Sequence, residues 1–259
     1  MHSVVLVRDT SRFGGEEDVL VGSGTLVKAG SFYGILTASH VLSEARNADG
    51  SIRIVYRKFE HDCTIPADRF TSVTIGHYQE SSQAQGPDLA FIRLLECPAL
   101  SSLRDAAMSF FSLEPKFVSE LKVFLDADRS WFILGAPKEK TLADQESEKF
   151  AAKTGLIQFC SRSIFSRYFS VGDFDYLEVV APSGVDNFPR SYEGMSGGGA
   201  WAIPVYRQND GSLNVGDPIF GGVPFFEEDP IDGSRIIRLH GPISVHEMAR
   251  KQIIAGCAS

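Results

Sequence analysis

The sequence predicts an all-β protein, a sandwich or a barrel, and three observations carry that expectation. Short segments rich in Val, Ile, Phe and Tyr follow one another along most of the chain. Gly, Pro, Asp and Ser punctuate them. No long helical pattern intervenes, so neither an alternating α/β order nor a helical bundle fits. The 259 residues are 43% hydrophobic and include 19 Phe, enough apolar surface for one large core or two smaller ones.

The strand segments, in order, are 3–9, 19–30, 32–39, 51–59, 89–95, 130–137, 155–161, 175–182, 200–206, 218–226 and 235–241. Two stretches break the pattern. Residues 101–125 have apolar positions at mixed spacing, which suits a connecting stretch with some helix. In 244–254, Ser244 followed three residues later by Glu247 forms a capping box, and Val245, Met248, Ala249 and Ile253 make an apolar stripe. This predicts a C-terminal helix docked on the body. The charged run 138–150 reads as an exposed, mobile loop.

Charge and composition exclude several functions. A net charge of −8 and a pI near 5.3 repel phosphate backbones, so no nucleic-acid partner is expected. No apolar run approaches the ~20 residues that span a bilayer, and no membrane association is expected. The first residues lack the order of a secretory signal, which predicts a cytoplasmic protein. Cys63, Cys97, Cys160 and Cys257 are far apart and form no C-x-x-C pair, so they read as buried free thiols rather than metal ligands or disulfides. No cofactor and no metal are expected.

The run "YEGMSGGGAW", 192–201, places Ser196 among four glycines. A serine hydroxyl is a weak nucleophile until a histidine takes its proton and a carboxylate fixes that histidine's tautomer. Glycines let the backbone turn sharply and aim N–H groups at a developing oxyanion. Of the six histidines, His40 stands out, at the end of the apolar "GILTASHVL". Asp88, at the mouth of "DLAFIRL", is the matching acid. Taken singly, Ser196 and Asp88 read as turn formers. His61, His77 and His246 read as surface residues, and His240 as a structural histidine or a cleft wall.

The ordered set "GSGTLV…GILTASHVL", "DLAFIRL" and "GMSGGG", with separations of 48 and 108 residues, resembles the chymotrypsin-trypsin superfamily of serine proteases. "WFILGAPK" is similar to a strand of the second barrel in its bacterial members. The resemblance implies two antiparallel six-stranded β-barrels, 1–112 and 113–243, followed by a helix, 244–259. It implies a His40, Asp88 and Ser196 triad in the cleft between the barrels. The oxyanion hole would be the N–H groups of Gly194 and Ser196. Bacterial intracellular members resemble defence effectors released by a sensor partner, so an activating partner joins the protein or peptide substrate as an expectation.

Departures from the family pattern also carry meaning. Val41 and Tyr192 stand where secreted members carry cysteines, which fits a reducing compartment. Met195 replaces the aspartate that receives a newly cut N-terminus, so activation by that ion pair is not expected. Gly199 replaces a common proline, and Pro224 falls near the position where many members carry a polar residue that hydrogen-bonds the triad aspartate, so that support is not expected here. Counting six residues back from the serine puts Arg190 at the base of the primary pocket, where it would pair with an acidic substrate side chain. The competing reading has Arg190 in solvent and the pocket shaped by Phe225 and Phe226. Function likewise stays between two classes, a serine endopeptidase and a catalytically silent peptide-binding or scaffold module of the same fold.

Overall fold

A computed structural model describes residues 2–8, 19–56, 61–76, 86–125, 130–139, 159–185, 188–208 and 210–258. The expectations for 140–150 and His77 lie outside these residues, as does the side chain of Cys160.

Residues 3–112 build an eight-stranded sheet whose central strands carry the apolar residues. Its strands are β1 (Ser3–Arg8), β2 (Val19–Ala29), β3 (Phe32–Thr37), β4 (Ile52–Tyr56), β5 (His61–Ile65), β6 (Phe70–Gly76), β7 (Leu89–Leu94) and β8 (Phe111–Ser112). The order is β5-β4-β1-β2-β3-β7-β6, with β8 lying parallel to β2 beside the path. This unit therefore has more strands than the six expected. Val4, Leu6, Leu26, Ile35, Ile54 and Ile92 fill its core, covered by two short helices, α1 (Ser39–Ala45) and α2 (Pro98–Asp105).

A third helix, α3 (Lys116–Leu125), leads to the second unit. That unit comprises β9 (Ser130–Gly135), β10 (Phe159–Val171), β11 (Phe174–Pro182), β12 (Gly199–Ala202), β15 (Ile219–Glu227) and β16 (Ser234–His240). They close into a six-stranded barrel, β10-β11-β16-β15-β12-β9, as the sequence predicts. A separate ribbon pairs β13 (Val205–Arg207) with β14 (Leu213–Val215). Trp131, Ile133, Leu177, Val179, Ala200 and Leu239 fill the barrel. The whole is two largely antiparallel β units, the second a closed barrel, and a C-terminal helix.

The C-terminal helix locks the two units together. A wide turn, Ser244–Ala249, runs into α4 (Arg250–Ala258). Val245, Ala249 and Ile253 pack into one cluster with Leu36 and Phe91 of the first unit and Trp201, Phe220 and Val223 of the second. The expected capping box does not form. Ile243 already has helical dihedrals, and Ser244 N–H and hydroxyl both donate to Asp175 Oδ1, at 2.6 and 2.7 Å. Ile243 N–H donates to Asp175 Oδ2 at 3.0 Å. A carboxylate reaching over from β11 meets the positive end of the helix better than a neutral hydroxyl does. His246 is a second correction. It is fully buried in this joint rather than at the surface, accepting from Glu114 N–H at 3.2 Å and donating to the Phe220 carbonyl at 2.7 Å.

Cys63, Cys97 and Cys257 are free thiols. Among the described residues, no helix is long and apolar enough to cross a membrane.

Candidate active site

The pairing of β3 with β7 assembles the first half of the site. Thr37 lies opposite Ala90, so the chain leaving β3 passes directly beside Asp88. His40 sits in the first turn of α1, and its backbone N–H donates to Asp88 Oδ1 at 3.0 Å. Its ring Nδ1–H donates to Asp88 Oδ2 at 2.5 Å. The Asp88 side chain is 0% exposed and the His40 side chain 17%, so the acid is sealed while the ring reaches the surface. Both carboxylate oxygens thus serve His40, which fixes the ring plane and leaves Nε2 as the outward nitrogen.

The second half is the loop before β12. Met195 N–H donates to the Tyr192 carbonyl at 3.0 Å, closing a tight turn with Gly194 at φ 90°. That backbone conformation strongly favours glycine. A Cβ at Gly194 would also press on the Ala136 carbonyl. Lys138 N–H donates to the Glu193 carbonyl at 2.7 Å. In a trans peptide the N–H points opposite to the C=O, so Gly194 N–H is turned away from Lys138. Among the described residues, neither Gly194 N–H nor Ser196 N–H takes a protein partner.

Ser23 was not singled out from the sequence, yet it staples this loop to the first unit. Its N–H donates to the Ser196 carbonyl at 2.8 Å, and its hydroxyl donates to the Gly194 carbonyl at 2.8 Å. The same hydroxyl accepts Ala136 N–H at 3.0 Å, and Thr37 Oγ1 donates to the Ser23 carbonyl at 2.7 Å. A serine between two glycines on an otherwise apolar strand, "VGSGTLV", is the signal that could have found it. Gly197, at φ 82°, donates its N–H to the Pro224 carbonyl at 2.7 Å. Pro224 thus supports the serine loop through its carbonyl.

His40 and Ser196 line one cleft of about 270 Å³. Ile133, Tyr192, Met195, Phe225, Phe226 and Ile237 supply its apolar wall. Among the described residues, no hydrogen bond joins Ser196 Oγ to His40. The cleft brings together His40, Ser196, Phe225 and Phe226, with Asp88 behind. Arg190 is not in its lining. The Arg190 backbone is fixed by Glu139, Ser183 and Arg235, and its side chain faces solvent. This corrects the expectation of a cation at the pocket base.

The acids of the cleft are Glu193 and Glu227, and both have partners. Lys138 Nζ lies 2.9 Å from Glu193 Oε1. Glu227 accepts from Ser191 Oγ at 2.5 Å and from Tyr192 N–H at 2.7 Å, with Arg235 at 3.5 Å.

Distant likenesses exist among solved structures. A structure from work on the coupled folding and binding of the intrinsically disordered Sesbania mosaic virus VPg protein matches with 11% identity and a TM-score of 0.47, covering 95% of this chain and 88% of its own. The C151A mutant of tobacco etch virus protease matches with 10% identity and a TM-score of 0.41, covering 93% and 73%. No protein-family model and no curated protein matches the chain.

Proposed function

We propose that the chain is a serine endopeptidase that hydrolyses peptide bonds through an acyl-enzyme on Ser196. One observation carries the reading: a buried Asp88 holds the His40 ring by Nδ1, in the same cleft as a serine whose loop turns Gly194 N–H away from Lys138. In the proposed reaction Ser196 Oγ bonds to the substrate carbonyl carbon while its proton passes to His40 Nε2. The carbonyl oxygen takes up the negative charge and accepts from Gly194 and Ser196 N–H. The imidazolium then protonates the leaving amine as the C–N bond breaks, and water repeats the cycle to release the acid.

The pocket reading follows from charge pairing. Glu193 and Glu227 are neutralised within the chain, Arg190 lies outside, and the remaining wall is apolar. The side chain beside the scissile bond is therefore proposed to be uncharged and apolar. A peptide-library digest with wild type and Ser196→Ala tests both points. The expected result is Ser196-dependent cleavage next to Leu, Met or aromatic residues. Cleavage after Arg or Lys would overturn the pocket reading, and equal cleavage by Ser196→Ala would overturn the reaction.

The absent Ser196–His40 bond favours a second reading, the silent peptide-binding module. Binding of peptides without turnover, by wild type and Ser196→Ala alike, would establish it. The expected activating partner and defence role remain part of the proposal. Since Lys138 and Ser23 already hold the loop, such a partner would govern access to the cleft rather than its backbone. Full rates in the purified chain, unchanged by any candidate partner, would remove that part.

A further inference from the structure

Asp88 has a second attachment that does not involve His40. Its backbone N–H donates to Nε2 of His240 at 3.0 Å. Asp88 precedes β7 of the first unit, whereas His240 ends β16 of the second, so the bond crosses the joint between the units. Both residues are 0% exposed. The imidazole is wedged among aromatic rings, with Phe225 at 4.7 Å, Tyr176 at 5.3 Å and Phe174 at 6.0 Å between centroids. Register fixes it further, since His240 pairs with Tyr176 on one side and with Val223 on the other.

We propose that His240 is a positioning residue for the triad, holding Asp88 in place by accepting its backbone N–H. This rests on the reading of His40, Asp88 and Ser196 as a catalytic set. The chemistry has one requirement, that Nε2 be unprotonated so that it accepts. Burial pushes the His240 pKa down to about 4, so the ring is neutral at ordinary pH. The proton of the neutral ring then sits on Nδ1, which is buried and has no partner among the described residues. An imidazole placed only for packing would not hold its one accepting nitrogen against the backbone of the acid and leave its donor unsatisfied.

The consequence runs through geometry. Both Asp88 carboxylate oxygens hold His40, so a shift of the Asp88 backbone moves the base. Misplacement of about 1 Å costs on the order of 10²-fold in rate. Phenylalanine at 240 keeps the aromatic packing and removes the acceptor. Glutamine places its Oε1 near the position of Nε2 and restores an acceptor.

The experiment compares wild type, His240→Gln and His240→Phe. It reads Ser196 labelling by a fluorophosphonate, peptide kcat and KM separately, thermal midpoint, and the NMR resonance of the His40 Nδ1–H proton. The expected result for folded His240→Phe is a 10- to 100-fold loss in kcat with little change in KM, and a shifted or broadened His40 resonance. His240→Gln should stay within a few-fold of wild type and keep the resonance. A folded His240→Phe with wild-type kcat and resonance would overturn the proposal. So would a folded His240→Gln as impaired as His240→Phe. Should His240→Phe fail to fold, ¹⁵N NMR of the wild-type imidazole decides: an unprotonated Nε2 coupled to Asp88 N–H supports the proposal, and a protonated Nε2 overturns it. If wild type shows no Ser196-dependent labelling, the protease reading fails, while the His40 resonance still reports whether His240 positions Asp88.

Discussion

The two halves of the candidate site are built by different means. His40 and Asp88 are local to the first unit: one strand pairing brings them together, and two hydrogen bonds within the pair set the ring. Ser196 depends on its surroundings. Its loop contains Gly194 and Gly197 at positive φ, and is held by Ser23 from the other unit, by Lys138 and by the Pro224 carbonyl. The comparison teaches that the proposed acid–base pair is set mainly within the first unit, with the single bond from His240 reaching it across the joint, whereas the loop of Ser196 takes most of its shape from that joint. Mutations should therefore separate into those that disable the base and those that deform the loop.

The largest effect is expected at the acid. Asp88→Asn keeps the shape but favours the wrong imidazole tautomer, and a loss of about 10⁴-fold in kcat is expected with an unchanged thermal midpoint. Peptide hydrolysis measures it, and a loss below tenfold would mean that the His40 ring is set by something other than Asp88.

Next comes the loop. Gly194→Ala puts a Cβ where the backbone is left-handed and the Ala136 carbonyl is in the way. A turn that relaxes loses an oxyanion donor, typically worth about 10²–10³ in rate. The His40 Nδ1–H resonance should remain as in wild type. Its loss in this variant would mean that the Ser196 loop also sets the His40–Asp88 pair.

The smallest effect concerns the joint itself, through stability rather than rate. His240 and His246 are both buried where the units meet, and burial lowers each pKa from 6.5 to about 4. The unfolded chain therefore binds two protons near pH 6.5 that the folded chain refuses until about pH 4. Their contribution is fully present above pH 6.5 and is lost as the pH falls toward 4, by about 3 kcal/mol for each histidine. Urea unfolding across this range should show the slope, and His246→Gln should reduce it. Equal urea midpoints at pH 7 and pH 4.5 would contradict the buried, neutral assignment.

Much of this arrangement was legible in the sequence because its signals are local. The central strands β2, β3, β7, β11 and β16 carry runs of Val, Ile, Leu and Phe, and the strand pattern found each of them. Strands β5 and β6 were missed for a physical reason. They lie at the two edges of the first sheet, and residues such as His61, Asp62, Thr71 and Ser72 face solvent, so apolar alternation is absent. His40, Asp88 and Ser196 stood out in the sequence because glycines and small residues surround them, and the structure places His40 beside Asp88 and in one cleft with Ser196. The roles of Ser23, His240 and Asp175 were not, since each acts through a backbone group distant in sequence. The Arg190 count failed because a fixed offset along a loop does not say which side chains turn inward. The helix cap failed because Asp175 supplies from another strand what Ser244 could supply only in part.

The claim that joins both halves is that Ser196 is a nucleophile activated by His40. Mass spectrometry of the purified chain after exposure to a fluorophosphonate tests it most directly, in wild type, Ser196→Ala and His40→Ala. The expected result is one added phosphonyl group on Ser196 in wild type, none in Ser196→Ala, and labelling slowed by at least about 10³-fold in His40→Ala. Absence of wild-type labelling, or labelling at Ser196 with undiminished rate in His40→Ala, would contradict it.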